Sequence, residues 1–174
     1  MKKMMMIAVV MLMSIGAFAQ EKQFAVGANI GVAAYRGSYT PFGFGPKFQF
    51  YFWNQWRGEA SFNYWAKKDG KGFMDFNANV HYVFNIANNV NVYPLAGATI
   101  VPTHGYESNE TLVGVNLGGG AEYKITPDLK LNLEIKYQYA EKEKSSVRVN
   151  NVENVVTKIE AEGPIFQAGI VYCF

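Results

Sequence analysis

The chain of 174 residues contains a single cysteine, Cys173, so it forms neither an internal disulfide nor a thiolate metal cluster. Charge is scarce, at 17% of residues, and the formal net charge is only +2. There is no basic footprint for nucleic acid and no block of like charges to act as an interaction tail. Long apolar runs are missing too: none approaches the 18 or so residues that argue for a membrane-spanning helix. The 3.6-residue apolar period of an amphipathic helix is likewise absent after residue 20. With 49% hydrophobic residues the chain is still rich enough in apolar surface to be ordered, and its excess is aromatic: 13 Phe, 11 Tyr and 3 Trp.

The one uninterrupted apolar stretch lies at the start. Lys2-Lys3 precedes Met4 to Ile15, and Gly16-Ala17-Phe18-Ala19 follows before Gln20. A positive segment, a short apolar segment and a small-residue A-x-A site make up a secretory signal peptide, expected over residues 1–19, with one domain over residues 20–174. Removing Lys2 and Lys3 with the signal leaves 14 basic residues against 14 acidic ones, a formally neutral chain.

From Phe24 onward the chain alternates at period two in eight segments, the pattern of strands with one apolar face. The segments are Phe24 to Tyr35, Phe44 to Phe52, Trp56 to Ala66, Met74 to Phe84, Val90 to Ile100, Val113 to Ile125, Leu129 to Tyr139 and Pro164 to Phe174. In the fifth, Tyr93-Pro94-Leu95 permits either phase, and Val92, Pro94, Ala96, Ala98 and Ile100 are taken as the apolar set. No apolar face carries a charged, amide or hydroxyl-bearing aliphatic side chain, where chance would place about eight charges, or about four once the phase of each strand is chosen freely. The opposite faces mix glycine and asparagine with nearly balanced ions: Lys47, Arg57, Lys124, Lys130 and Lys136 against Glu59, Asp75, Glu122 and Glu134. Such charges are costly to bury singly, which points to a narrow interior in which they pair.

The connections alternate in length. Those after the second, fourth and sixth segments are short (Trp53-Asn54-Gln55, Asn85 to Asn89, Thr126-Pro127-Asp128). Those after the first, third, fifth and seventh are longer (Arg36 to Gly43, Lys67 to Gly72, Val101 to Leu112, Ala140 to Gly163). Even strand number, charge-free outer faces and short/long asymmetry together predict an all-β fold, an eight-stranded antiparallel up-and-down transmembrane β-barrel. Two aromatic girdles are expected at the membrane interfaces. Phe52, Trp53, Trp56, Phe84, Tyr93, Tyr123, Tyr172 and Phe174 lie on the short-turn side, and Phe44, Tyr64, Trp65, Phe73, Tyr137, Tyr139 and Phe166 on the other.

The last residues, Gln167-Ala168-Gly169-Ile170-Val171-Tyr172-Cys173-Phe174, read polar-x-Gly-x-x-aromatic-x-aromatic. This resembles the signal by which the barrel-assembly machinery recognises outer-membrane barrels, carried here by Gln167, Gly169, Tyr172 and Phe174. Over the whole mature chain the sequence resembles the small porin-family outer-membrane barrels of Gram-negative bacteria, the group that includes the OmpA and OmpX transmembrane domains. The similarity is greatest in Gly114 to Pro127, in Leu133 to Tyr139, and in Val80 to Phe84 with Tyr93 to Gly97. The resemblance implies a cell outer-membrane location and contact with its lipids and lipopolysaccharide. It also implies assembly by the barrel machinery, a monomeric state, no cofactor, and a lumen ion-pair network drawn from Lys47, Arg57, Glu59, Asp75, Glu122, Lys124, Glu134 and Lys136.

Eight strands enclose an interior that side chains just fill, which favours a structural or interaction protein with long outward loops, one of which could engage an extracellular partner. A narrow porin is the alternative, since lumen-side glycines such as Gly31, Gly45, Gly97, Gly114, Gly118 and Gly120 leave room for water. A soluble ligand-binding barrel would turn its apolar residues inward, and is disfavoured. Catalysis is not expected: His81 lies mid-strand, His104 sits in a connection with Tyr106 and Glu107, and neither has a Ser or Asp partner at suggestive spacing. The connection from Glu141 to Glu162 is read either as a solvated loop or as a hairpin extending the last two strands above the membrane.

Overall fold

The computed structural model describes residues 23–35, 40–66, 72–104, 109–142 and 159–174. The expected signal peptide lies outside these residues, as do the central parts of the four longer connections, including Tyr106 and Glu107. The described chain is all strand and turn. Its strands are β1 (Phe24–Ala33), β2 (Phe42–Trp53), β3 (Trp56–Ala66), β4 (Phe73–Tyr82), β5 (Phe84–Ala87), β6 (Val90–His104), β7 (Asn109–Lys124), β8 (Leu129–Lys142) and β9 (Ile159–Cys173).

Consecutive strands pair antiparallel from β1 to β4 and from β5 to β9, β9 returns to β1, and β4 pairs with β6, so the sheet closes into a ring. β4 and β5 are one stave interrupted at Val83: both pair with β6, and His81↔Leu95 and Phe84↔Val92 keep one register. The result is a closed barrel of eight staves. At the interruption the Val83 amide donates instead to the Gln55 carbonyl at 2.8 Å.

The three short turns gather at one end. Asn54 has φ of 23° between β2 and β3, a conformation that asparagine tolerates well. Between β7 and β8 the Thr126 hydroxyl accepts from the backbone amides of Asp128 at 3.3 Å and Leu129 at 3.0 Å, a local bond that fixes the reversal. The expected turn Asn85 to Asn89 is tighter than its sequence implies, because β5 runs through Ala87 and leaves only Asn88-Asn89.

At the opposite end the strands outlast their alternation. β6 and β7 stay paired to His104↔Asn109, and β8 and β9 to Lys142↔Ile159. The connections expected at Val101 to Leu112 and Ala140 to Gly163 are therefore partly strand. For the latter, backbone pairing favours the hairpin reading as far as Lys142. Once the hydrophobic phase stops mattering beyond the barrel wall, hydrogen-bond pairing alone continues the ladder.

The faces divide as the alternation requires. Ile30, Phe44, Phe76, Ile100, Val115, Leu117, Leu133, Ile135, Phe166 and Ile170 are exposed on the outer surface, while asparagines, glutamines and ions are buried inside. The fifth segment takes the expected phase, with Pro94 and Ala96 outward and Tyr93 and Leu95 buried. Phe52, Trp53, Trp56, Phe84, Tyr123, Tyr172 and Phe174 are exposed toward the turn end, as an interfacial girdle requires.

Candidate functional site: a lumen filled by side chains

Four staves face one another across the lumen through buried ions. From β3, Arg57 Nη1 bonds Glu122 of β7 and also donates to the Tyr51 hydroxyl at 3.0 Å. The guanidinium lies 4.7 Å from the centre of the Tyr93 ring, and that ring stacks on His81 at 4.7 Å. One layer further from the turns, Lys47 Nζ of β2 sits 3.1 Å from Glu59 Oε2 and 3.7 Å from Glu134 Oε2, so one ammonium bridges carboxylates of two staves. Lys136 Nζ stands 3.6 Å from Glu134 Oε1, and Gln49 donates to Glu59 at 2.8 Å. These six ions are almost fully buried. Taking them from water costs several kcal/mol apiece before pairing, so the network holds only because each charge faces an opposite one.

Toward the loop end the chemistry changes from ions to amides. Among the described residues Asp75 faces no cation there. It accepts from Asn63 Nδ2, Asn77 Nδ2 and Trp65 Nε1, each at 2.7 Å, and three donors on one carboxylate compensate much of the lost hydration. Asn116 reaches across to Asn77 at 2.8 Å, Gln167 to Asn63 at 3.2 Å and Gln138 to the Tyr35 hydroxyl at 3.0 Å. Above this layer an apolar lid closes the barrel: Trp65, Tyr35, Ala33 and Ile165 pack with Phe73, and Val101, Leu112 and Ala140 pack beside them.

Of the expected ion-pair candidates, the structure brings Lys47, Arg57, Glu59, Glu122, Glu134 and Lys136 together and leaves two aside. Asp75 belongs to the amide layer, and Lys124 lies half-buried at the turn-side rim beside Lys130. Lys130 approaches the network instead, at 4.0 Å from Glu122 Oε2.

Three aromatics expected in the girdles are inside. Tyr93 and Trp65 are buried, and Phe73 packs against Trp65 and Tyr35. Their alternation phase already placed them inward: Trp65 shares its face with Arg57 and Asn63, and Tyr93 with Asn91. For two of them a second sign lies in the pairing, because Tyr93 and Trp65 each face a glycine across the ladder, Tyr93↔Gly120 and Gly43↔Trp65. A Cβ at Gly120 would stand 2.4 Å from the Tyr93 hydroxyl, so the glycine makes room for the ring. At Gly45 a Cβ would lie 1.7 Å from the Phe62 carbonyl, so this glycine permits close strand approach in a tightly curved wall and opens no path.

Glu59, His81 and Glu134 bring one ligand atom each within 4.8 Å of one another, a spacing that invites a metal. The hydrogen bonds oppose it. Arg57 Nε at 3.2 Å and Nη2 at 2.8 Å both face His81 Nδ1. A guanidinium only donates, so Nδ1 is the acceptor and the ring proton sits on Nε2, which leaves no lone pair for an ion there. The Lys47 ammonium already serves these carboxylates as their cation.

The four residues of the C-terminal pattern divide by face. Gln167 and Gly169 point inward, where Gln167 bonds Asn63 and a Cβ on Gly169 would meet Asn29 at 2.3 Å. Tyr172 and Phe174 are exposed outward, with ring centres 5.4 Å apart and edge to face.

Similar architectures occur among solved structures. The crystal structure of Neisserial surface protein A is 19% identical, covering 87% of this chain and 96% of that one, with a TM-score of 0.64. The N-terminal β-barrel domain of Pseudomonas aeruginosa OprF is 12% identical, covering 86% and 97%, with a TM-score of 0.59. Ail, the attachment invasion locus protein of Yersinia pestis, solved in complex with the heparin analogue sucrose octasulfate, is 18% identical, covering 87% and 96%, with a TM-score of 0.50. At these identities the likeness speaks to the fold. No curated protein matches the sequence. The family model of the outer membrane protein beta-barrel domain matches residues 5–174, and with the closed barrel, the apolar outer surface and the ion-filled interior this chain belongs to that family.

Proposed function

We propose that the protein is an outer-membrane barrel whose wall is a structural and interaction scaffold and whose lumen is held shut by its own side chains. The observation that carries this reading is the filled interior: two layers of buried ion pairs, an amide layer and an apolar lid succeed one another from turn end to loop end. A pore for solutes would need that column displaced, at the expense of several buried charge pairs.

In this reading the turns face the periplasm and the extended β6–β7 and β8–β9 hairpins face outward, where an extracellular partner would meet the loops. The outer surface contacts membrane lipid and lipopolysaccharide. Residues 1–19 act as a cleaved export signal. The assembly machinery reads Tyr172 and Phe174, which are exposed, whereas Gln167 and Gly169 serve the lumen. The protein works as a monomer, since its sheet closes on itself through β9–β1 and β4–β6 rather than on a second copy.

Planar-bilayer recordings test the plug. The wild-type protein is expected to give no discrete conductance steps, and the variant Glu59→Gln/Glu122→Gln/Glu134→Gln, checked for folding by heat-modifiable gel mobility, is expected to give them. Steps from the wild type at neutral pH favour the narrow-porin reading and end this one.

A further inference from the structure

Apart from Asp75, which amide and indole donors hold, the lumen ions consume one another's charge layer by layer, except at the turn-side mouth. Arg57 is matched by Glu122, Lys47 by Glu59 and Lys136 by Glu134. Lys130 finds a carboxylate oxygen only at 4.0 Å, on the Glu122 that Arg57 already holds by its other oxygen. Lys124 forms no ion pair among the described residues.

Both lysines line a concave mouth of about 710 Å³. Asn54, Gln55 and Asn91 are among the residues of its wall, and no Asp or Glu lines it. Asp128, on the neighbouring turn, stands outside the lining. A recess lined by one sign of charge and backed by a low-dielectric wall concentrates counter-ions.

The mouth is also built rather than merely basic. Lys130 Nζ donates to the Tyr51 hydroxyl at 3.2 Å and lies 5.2 Å from the centre of its ring, which fixes the ammonium at the base of the recess. Arg57 donates to the same hydroxyl from behind at 3.0 Å. With that oxygen already accepting from two cations, the Tyr51 hydroxyl can serve a further partner only as a donor. Two ammonium groups, a phenol donor and amide N–H groups around one cavity suit an oxygen-rich anion, which accepts many hydrogen bonds at once.

We propose that the turn-side mouth binds a phosphate-type oxyanion, held between Lys124 and Lys130 with Tyr51 and the Asn54 and Gln55 amides completing its coordination. The anion comes either from a lipid headgroup at the rim or from a free phosphate compound on the turn side of the membrane. The site opens to the turn side and borders the Arg57–Glu122 layer through Lys130 and Tyr51.

The test is an NMR titration of the ¹⁵N-labelled protein in maltoside micelles, which carry no phosphate, with inorganic phosphate at constant ionic strength. Saturable shifts confined to amides around Asn54, Asn91, Lys124 and Lys130 are expected in the millimolar range, with no counterpart for chloride. Lys124→Gln, which removes no described hydrogen bond, should weaken binding several-fold, and Lys124→Gln/Lys130→Gln at least tenfold. Non-saturating shifts shared with chloride, or an unchanged affinity in the double variant, would overturn the proposal. Repeating the titration in nanodiscs separates the sources. Loss of phosphate affinity when anionic phosphatidylglycerol replaces a zwitterionic lipid identifies the headgroup, and an unchanged affinity identifies the soluble anion.

Discussion

Arg57 shows how much one buried residue is asked to do. Its guanidinium bonds Glu122 and Tyr51, faces His81 Nδ1 through two nitrogens and covers the Tyr93 ring, so it joins β3 to β2, β4, β6 and β7 at one level. Lysine offers no planar fork and would satisfy fewer of these partners. Arg57→Leu leaves Glu122 buried with only Lys130 at 4.0 Å, and an uncompensated charge of this kind costs about 3–5 kcal/mol. Urea unfolding in lipid vesicles, followed by tryptophan fluorescence, should show that loss. The double variant Arg57→Leu/Glu122→Leu should recover most of it, since removing both charges removes the penalty. A single variant as stable as wild type would mean that the pair is hydrated rather than buried.

At the scale of the strand, one face is written for the interior and the other for the surroundings, and β9 shows the two roles side by side. Gln167 holds Asn63 across the lumen, while Tyr172 and Phe174 point outward and bond nothing inside. The two faces should therefore fail differently. Phe174→Ala is expected to refold in vesicles with stability within about 1 kcal/mol of wild type, yet to yield less folded protein in the outer membrane of cells. Gln167→Ala is expected to lose stability in both settings. Equal losses by the two variants in vitro would deny Phe174 a separate role in assembly. The same division explains the misplaced aromatics. Trp65 and Tyr93 have girdle-like composition, but phase outranks composition: a residue sharing its face with Arg57 or Asn91 is carried inward whatever its type.

For the molecule as a whole, strand number, closure and the assignment of faces were legible because a barrel wall leaves a side chain only two destinations, and period two records which was taken. In β6 the sequence permits either phase at Tyr93-Pro94-Leu95, and the structure takes the one that turns Pro94, Ala96 and Ile100 outward. Less legible were the partners within the lumen. Alternation says that Asp75 points inward but not at what height, and height decides that it meets Asn63, Asn77 and Trp65 rather than a lysine. Strand ends were unreadable for a related reason, since beyond the wall the β6–β7 ladder needs no hydrophobic phase to reach His104.

The central claim is a barrel with its apolar face in lipid and its lumen shut, and the native methyl groups report on both parts without any substitution. The decisive measurement is paramagnetic relaxation of methyl-labelled protein in lipid nanodiscs, with a nitroxide on the lipid chains or a small nitroxide in the water. The account predicts that Val115, Leu117, Leu133, Ile135 and Ile170 are broadened by the lipid probe alone, and that Leu95, Leu112, Ile165 and Val171 are spared by both. Broadening of Leu95 or Ile165 by the aqueous probe, or of Leu133 and Ile135 by the aqueous probe in place of the lipid one, would contradict it.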